Sequence, residues 1–357
     1  MVRNRRAAAF LGNARGTTDR NAGLNIMMKS CGVAMSMARR GRCFEDWKSN
    51  AAQVKSGSFR LRSSPIRSVI DDRNVNLLDQ TCRTLFLKMG DSDRKKDGTS
   101  AELWPTKYLE DVAEEKGKSD DIALIILNSP LEDFEYFRRL YSNASFVLCA
   151  DGGANRLYDL VTTTFSDLSW DTALKKALPS LIHGDLDSVT DHVRSSYSKL
   201  GVEVTEDPDQ YSTDFGKGIN QILSHRPNVK DILVLGSIGG RVDQGIGLLH
   251  ELYREQKFRH PDIKFWLFSE GSVSVVLHPG KTVLHTPLSG GLIKRNVGIL
   301  PIYGPAVIST EGLEWDVQDW ATEMGGQLST SNHIMKDRIS ISTDREVLFT
   351  VERAIDR

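Results

Sequence analysis

Ile122-Ala-Leu-Ile-Ile-Leu127 is a short, unbroken apolar run, and the alternation it opens decides the fold. A run of this kind suits a strand buried on both faces of a parallel sheet. An amphipathic stretch, Glu132–Tyr141, comes next, and then a second apolar run, Phe146-Val-Leu-Cys-Ala150. The alternation continues with strands near Leu181–His183, Val202–Thr205, Ile232–Leu235 and Ile263–Phe268. Between them lie helical stretches over Val189–Leu200, Thr213–Ser224 and Val242–Gln256. Strands alternating with helices predict a parallel α/β sheet with right-handed crossovers.

Outward from this core the character changes in both directions. After about Glu270 the chain becomes β-rich, with Ser272-Val-Ser-Val-Val-Leu277, Lys281-Thr-Val-Leu-His285, Val297-Gly-Ile-Leu300, Arg338-Ile-Ser-Ile-Ser342 and Val347-Leu-Phe-Thr-Val351. Pro279-Gly280, Ser289-Gly290-Gly291, Gly304-Pro305 and Gly325-Gly326 punctuate these runs, which predicts an antiparallel sandwich or barrel. Residues 1 to about 100 lack sustained periodicity and read as mostly disordered, with Leu77–Leu87 as a short helix. The expected organisation is a basic N-terminal extension over residues 1–103, an α/β nucleotide-binding domain over 104–270 and a β-rich domain over 271–357.

Composition narrows the function classes. A net charge of −1 gives no global attraction to nucleic acid or membrane. Cys31, Cys43, Cys82 and Cys149 are scattered without a CxxC pair, which argues against a disulfide framework or structural zinc and fits a reducing, cytoplasmic setting. No apolar run approaches the roughly 20 residues that span a bilayer. From Met1 to Phe44, nine Arg and Lys face a single acid, Asp19. Mitochondrial transit peptides share that bias; a basic tail, or a start codon placed too early, is the plain alternative.

Four motifs fall where the predicted strands end, the position at which open α/β sheets bind ligands. Ala150-Asp151-Gly152-Gly153-Ala154-Asn155 lets a backbone approach a ligand and lead into a helix, or is a plain turn capped by Asp151. In Gly184-Asp185-Leu186-Asp187-Ser188, two carboxylates spaced i, i+2 in an extended segment can face one cation. Mg²⁺ takes one or two carboxylates plus phosphate oxygens, whereas a helix cap needs only one polar residue, and Ser188 can serve. In Asp209-Gln210-Tyr211-Ser212-Thr213-Asp214-Phe215-Gly216-Lys217, Thr213 and Asp214 suit capping positions. The functional alternative makes Asp214 a third metal ligand and Lys217 a phosphate contact. Gly236-Ser237-Ile238-Gly239-Gly240-Arg241 is neither a Walker A nor a clean GxGxxG, yet its amides and Arg241 can cradle a phosphate. Acids and phosphate cradles together point to Mg-nucleotide chemistry, in which positioning and charge neutralisation do most of the work.

These motifs, with Gly239-Gly-Arg-Val-Asp-Gln244 and Ser329-Thr-Ser-Asn332, resemble the thiamine pyrophosphokinase family and occur in its order over roughly residues 104 to 355. Trp104-Pro-Thr-Lys-Tyr108 is similar to the start of its eukaryotic members. The resemblance implies a homodimer with active sites at the subunit interface, ATP and thiamine as substrates, Mg²⁺ as cofactor, and AMP and thiamine diphosphate as products. It implies that Asp185, Asp187 and Asp214 hold Mg²⁺ and, with Asp243, form the catalytic acids. It assigns Asp151, Asn155, Gln210, Thr213, Lys217, Gly239, Gly240 and Arg241 to ATP and its phosphates. Trp315, Ser331, Asn332 and Gln244 would shape the thiamine pocket, where a stacked tryptophan suits a cationic thiazolium.

Two other functions fit the same scaffold. One is an ATP-dependent kinase of another heterocyclic alcohol, which would release ADP. The other is a non-catalytic nucleotide or thiamine sensor, which would not need the full acid set.

Overall fold

The computed structural model describes residues 100–111, 118–209 and 211–355. The expected extension up to residue 99, the short helix Leu77–Leu87 and the phosphate contact Gln210 lie outside these residues, whereas the last residues of the extension, 101–103, form a strand.

A short strand, β1 (Ala101–Leu103), precedes the apolar run that becomes β2 (Ser119–Ile126). Helix α1 (Phe134–Asn143) then starts at Asp133, whose carboxylate accepts the Tyr136 amide, and it buries Tyr136, Phe137 and Leu140. Next come β3 (Ala144–Ala150), α2 (Gly153–Thr164), α3 (Trp170–Leu174), β4 (Leu181–Gly184), α4 (Asp191–Lys199) and β5 (Glu203–Glu206). Thr190 caps α4 through the Val193 amide. Helix α5 (Asp214–His225) is capped by Thr213, and β6 (Asp231–Leu235) comes after it. Helix α6 (Val242–Arg254) passes into a five-residue π turn, Glu255–Arg259, before β7 (Lys264–Phe268).

The six strands β7, β6, β2, β3, β4 and β5 lie side by side and parallel, as the alternation predicts. Core residues sort the helices by face: those of α1, α2 and α4 pack with Leu124 and Ile126, those of α5 and α6 with Ala123 and Ile125. Strand β2 therefore leaves through a helix on one face and its neighbour β6 through a helix on the other.

Beyond β7 the chain continues as β8 (Ser272–Leu277), β9 (Gly280–His285), β10 (Ile293–Leu300), β11 (Ala306–Glu311), β12 (Trp320–Thr322), β13 (Ser329–His333), β14 (Arg338–Thr343) and β15 (Val347–Arg353). Four of these, in the order β13-β10-β15-β8, pair antiparallel and join β7, so one ten-stranded sheet carries both halves. The change of character near residue 270 is a reversal of strand direction within that sheet. A second sheet of five strands, β1-β9-β14-β11-β12, contributes Leu284, Ile308, Ile339 and Ile341 to the core that holds Val275, Val297 and Phe349. That is the predicted sandwich. The sequence pattern does not disclose β11, β12 and β13, whose Ser, Thr and Glu residues blur the alternation. Among the described residues no helix is long and apolar enough to cross a membrane.

Phe349, fully buried between the sheets on β15, tests this packing. Phe349→Ala is expected to cost about 3–5 kcal/mol of unfolding free energy, read as a lower urea midpoint at unchanged slope.

Candidate active site

The C-terminal ends of β3 and β4 and the start of α5 bring three acids together. Asp151, Asp185 and Asp214 each offer a carboxylate oxygen within 4.8 Å of the others. Asp151 comes directly after β3 and is buried, with a φ of +42°. Its carboxylate accepts the amides of Ser188, at 3.2 Å, and Val189, at 3.1 Å, so it also fixes the loop that carries Asp185. Gly184 must be glycine for these acids to meet: a Cβ there would lie 2.8 Å from Asp151 Cβ and 3.0 Å from Asp214 Oδ1.

Asp214 is the most crowded member of the trio. Its Oδ1 is buried and accepts no hydrogen bond among the described residues. Lys217 Nζ lies 3.8 Å from it, in a side chain that is only 2% exposed, and donates to the Asp207 carbonyl at 2.8 Å. The position expected to contact phosphate is thus an internal cation that ties the loop after β5 to the acids. Burial, together with the charges of Asp185 and Asp151, raises the Asp214 carboxyl above the usual carboxylate range, and Lys217 opposes them.

The other expected residues divide into those that rim this cluster and those that brace it. Asp187 is exposed and accepts the Ser188 hydroxyl at 2.8 Å, outside the trio. Both ends of the Asn155 amide are engaged, donating to the Ser188 carbonyl at 2.8 Å and accepting the Thr190 amide at 3.1 Å. Thr213 Oγ1 accepts the Gly216 amide and caps α5. After β6, Gly239 and Gly240 form an open turn with φ +68° at Gly240. Arg241 closes a two-pronged fork on Asp243, at 3.1 and 2.6 Å, and both are exposed, as is Gln244. The Arg241 hydrogen bond holds the Asp243 carboxyl below the ordinary carboxylate range.

On the β-rich side, Asn332 is buried and wholly occupied with its neighbours. Its oxygen accepts the amides of Trp315 and His333, and its nitrogen donates to the Trp315 carbonyl at 3.0 Å. Trp315, fixed by its backbone, leaves its ring 55% exposed and 5.1 Å from the ring of His333. His333 Nδ1 in turn pairs with Glu314. Ser331 has a φ of +55°, unusual for a residue other than glycine, and lines a cleft of about 280 Å³ with Ser272, Asn296 and Thr350. His333 and Glu314 adjoin motif residues, yet the sequence pattern does not single them out. Arg156 and Asn128 carry no sequence signal of their own either.

The model of the thiamin pyrophosphokinase catalytic domain matches residues 137–266, and that of the thiamin pyrophosphokinase vitamin B1 binding domain matches residues 281–348. Thiamine pyrophosphokinase 1 of Arabidopsis thaliana is 33% identical over 238 residues, covering 64% of this chain and 85% of the relative. The chain belongs to the thiamine pyrophosphokinase family. Thiamine pyrophosphokinase of Saccharomyces cerevisiae is 27% identical over 286 residues, covering 67% of this chain and 88% of its own. The crystal structure of yeast thiamin pyrophosphokinase matches with a TM-score of 0.61 and 25% identity, over 72% of this chain and 93% of that one. The thiamin pyrophosphokinase of Candida albicans shares the fold with the same TM-score, at 23% identity and over 74% and 96% of the two chains.

Crowding of the acids has a measurable sign. With its pKa raised, Asp214 binds a proton more tightly in the folded protein than in the unfolded chain. The cost of its charge is therefore absent below the unfolded value of 3.8 and fully present once the pH exceeds the folded value. In chelator, Asp214→Asn is expected to melt above the wild type at pH 7, with the advantage shrinking toward pH 4. Equal melting points at both pH values would remove this repulsion from the account.

Proposed function

We propose that this chain transfers the pyrophosphoryl group of ATP to the hydroxyl of thiamine, releasing AMP and thiamine diphosphate. The observation that carries the reading is the trio Asp151, Asp185 and Asp214, set at adjacent strand ends in a member of the thiamine pyrophosphokinase family. In the reaction, the thiamine hydroxyl oxygen bonds to the β-phosphorus as the bond to the bridging oxygen breaks. That oxygen leaves with the electron pair as part of AMP.

Magnesium fits the residues present: three hard oxygen donors converge, and one of them, Asp214 Oδ1, lacks a hydrogen-bond partner among the described residues. Asp151, Asp185 and Asp214 would hold it, with Asp187 on the rim. When bound, it neutralises the negative charge of the transferred phosphates. The chain itself supplies positioning. The Gly239-Gly240 turn and the Arg241–Asp243 fork meet the phosphates, and Lys217 fixes the loop that leads from β5 to Asp214. The hydroxyl proton would pass to a carboxylate beside the phosphates, Asp214 or Asp243.

Thiamine would stack on the exposed ring of Trp315, whose backbone Asn332 fixes, with Ser331 and Gln244 beside it. Exposed apolar side chains support a homodimer in which each site is completed by a second copy. Tyr211 (100% exposed), Val242 and Ile246 surround the nucleotide side, while Trp315, Met324 and Met335 stand out from the β-rich side. The three-part organisation at residues 103 and 270 and a cytoplasmic location belong to the same reading.

Incubation with ATP, Mg²⁺ and thiamine is expected to yield AMP and thiamine diphosphate in equal amounts. ADP in place of AMP would identify an ordinary kinase, and binding without turnover a sensor. Asp185→Asn and Asp214→Asn are each expected to lower kcat by roughly 10²–10³-fold. Near-normal turnover in Asp214→Asn would exclude that residue from proton transfer.

A further inference from the structure

Arg156 stands in the first turn of α2, next to Asn155 and outside the carboxylate trio. Its Nε donates to the side-chain oxygen of Asn128 at 2.8 Å, and it is partly buried. Among the described residues no carboxylate pairs with it. Arg241, by contrast, is already closed on Asp243. A guanidinium held in place by a neutral amide keeps its remaining N–H groups and its full charge for an outside acceptor.

The surroundings say which acceptor. Asn128 lies just past β2, and the border of β2 with β6 is where helices change face, the crevice in which open α/β sheets take their ligands. Two glycines draw the start of α2 against the end of β2. A Cβ at Gly152 would lie 2.3 Å from Asn128 Nδ2, and one at Gly153 would lie 2.2 Å from the Ile126 carbonyl. No side chain caps α2 at Gly152, and of its first three amides Ala154 and Asn155 already donate to the Asp151 and Gly152 carbonyls, so Arg156 is the main donor at this end. Across the border, Gly236 abuts Ser129, and the next residue, Ser237, has a buried hydroxyl without a partner among the described residues. Asp151 lies immediately before these glycines, so the crevice adjoins the trio.

We propose that Arg156, oriented by Asn128, binds the phosphate of ATP that is not transferred, and that the same pair holds the nucleoside monophosphate product. The assignment rests on the reading of the chain as a pyrophosphoryl transferase, and it gives the two ends of the triphosphate different receptors. The β- and γ-phosphates go to the acid trio and its cation. The α-phosphate goes to an arginine in the first turn of α2, which needs no metal. As the bond between the β-phosphorus and the bridging oxygen breaks, that oxygen gains a negative charge on the AMP side, where Arg156 stands.

The test is calorimetric titration of the full-length chain with AMP in chelator, alongside steady-state kinetics with Mg²⁺. Arg156→Met is expected to weaken AMP binding at least tenfold and to raise the KM for ATP, with the KM for thiamine unchanged. Arg156→Lys keeps the charge but not the fork, and is expected to lose several-fold. Asn128→Ala is expected to fall between wild type and Arg156→Met, and thermal melts would establish that each variant folds. AMP affinity within twofold of wild type in Arg156→Met would overturn the proposal, as would a wild-type chain without measurable AMP affinity. A wild type that binds AMP through Arg156 but makes none from ATP and thiamine would sink the pyrophosphoryl-transfer reading and leave this one standing.

Discussion

Three carboxylates held within 4.8 Å repel one another, and the backbone around them must supply what their charges do not. The Ser188 and Val189 amides hold Asp151, Gly184 leaves the space in which the acids meet, and Lys217 sits behind Asp214 as the resident counter-charge. The three acids themselves follow β3, β4 and β5, so the cluster exists only when those strands are correctly paired. Repulsion of this kind is a normal property of a cation site, since the ligand offsets it on binding.

The strands of the parallel half are legible in the sequence because burial on both faces leaves an apolar run that little else produces. Their helices emerge from amphipathic spacing and from caps such as Thr213. The antiparallel half is legible only in part. Strands β8, β9, β10, β14 and β15 carry aliphatic residues, whereas β13 reads Ser329-Thr-Ser-Asn-His333 and has no hydrophobic signature. The single sheet that unites both halves is not legible at all. Strand order depends on which edges meet, and a sequence pattern records only which face is buried.

The site shows a similar division. Asp185 and Asp214 can be read as cation ligands from their places at strand ends, and both join the trio. Asp151 can be read as a ligand residue or a cap, and it combines the two, since its carboxylate accepts loop amides while facing the other acids. Polar residues in such motifs are often spent on the loops rather than on the ligand. Asn155, Lys217 and Asn332 each satisfy backbone groups in their neighbours, and through them the exposed groups acquire fixed positions. Residue type and spacing cannot separate a brace from a contact, because both need the same polar atoms. Only the hydrogen-bond partners do.

The reversal from β7 to β8 has a mechanical meaning. Trp266, Leu267 and Phe268 pair with Val275, Ser274 and Val273, so the last parallel strand is hydrogen-bonded directly to the first antiparallel one. A hinge between the two halves would have to break that ladder and part the buried side chains on either side of it. The acid trio and Trp315 therefore ride on one stiff plate within each chain. Substrate capture in such an architecture falls to the loops at the strand ends, which move without disturbing the plate.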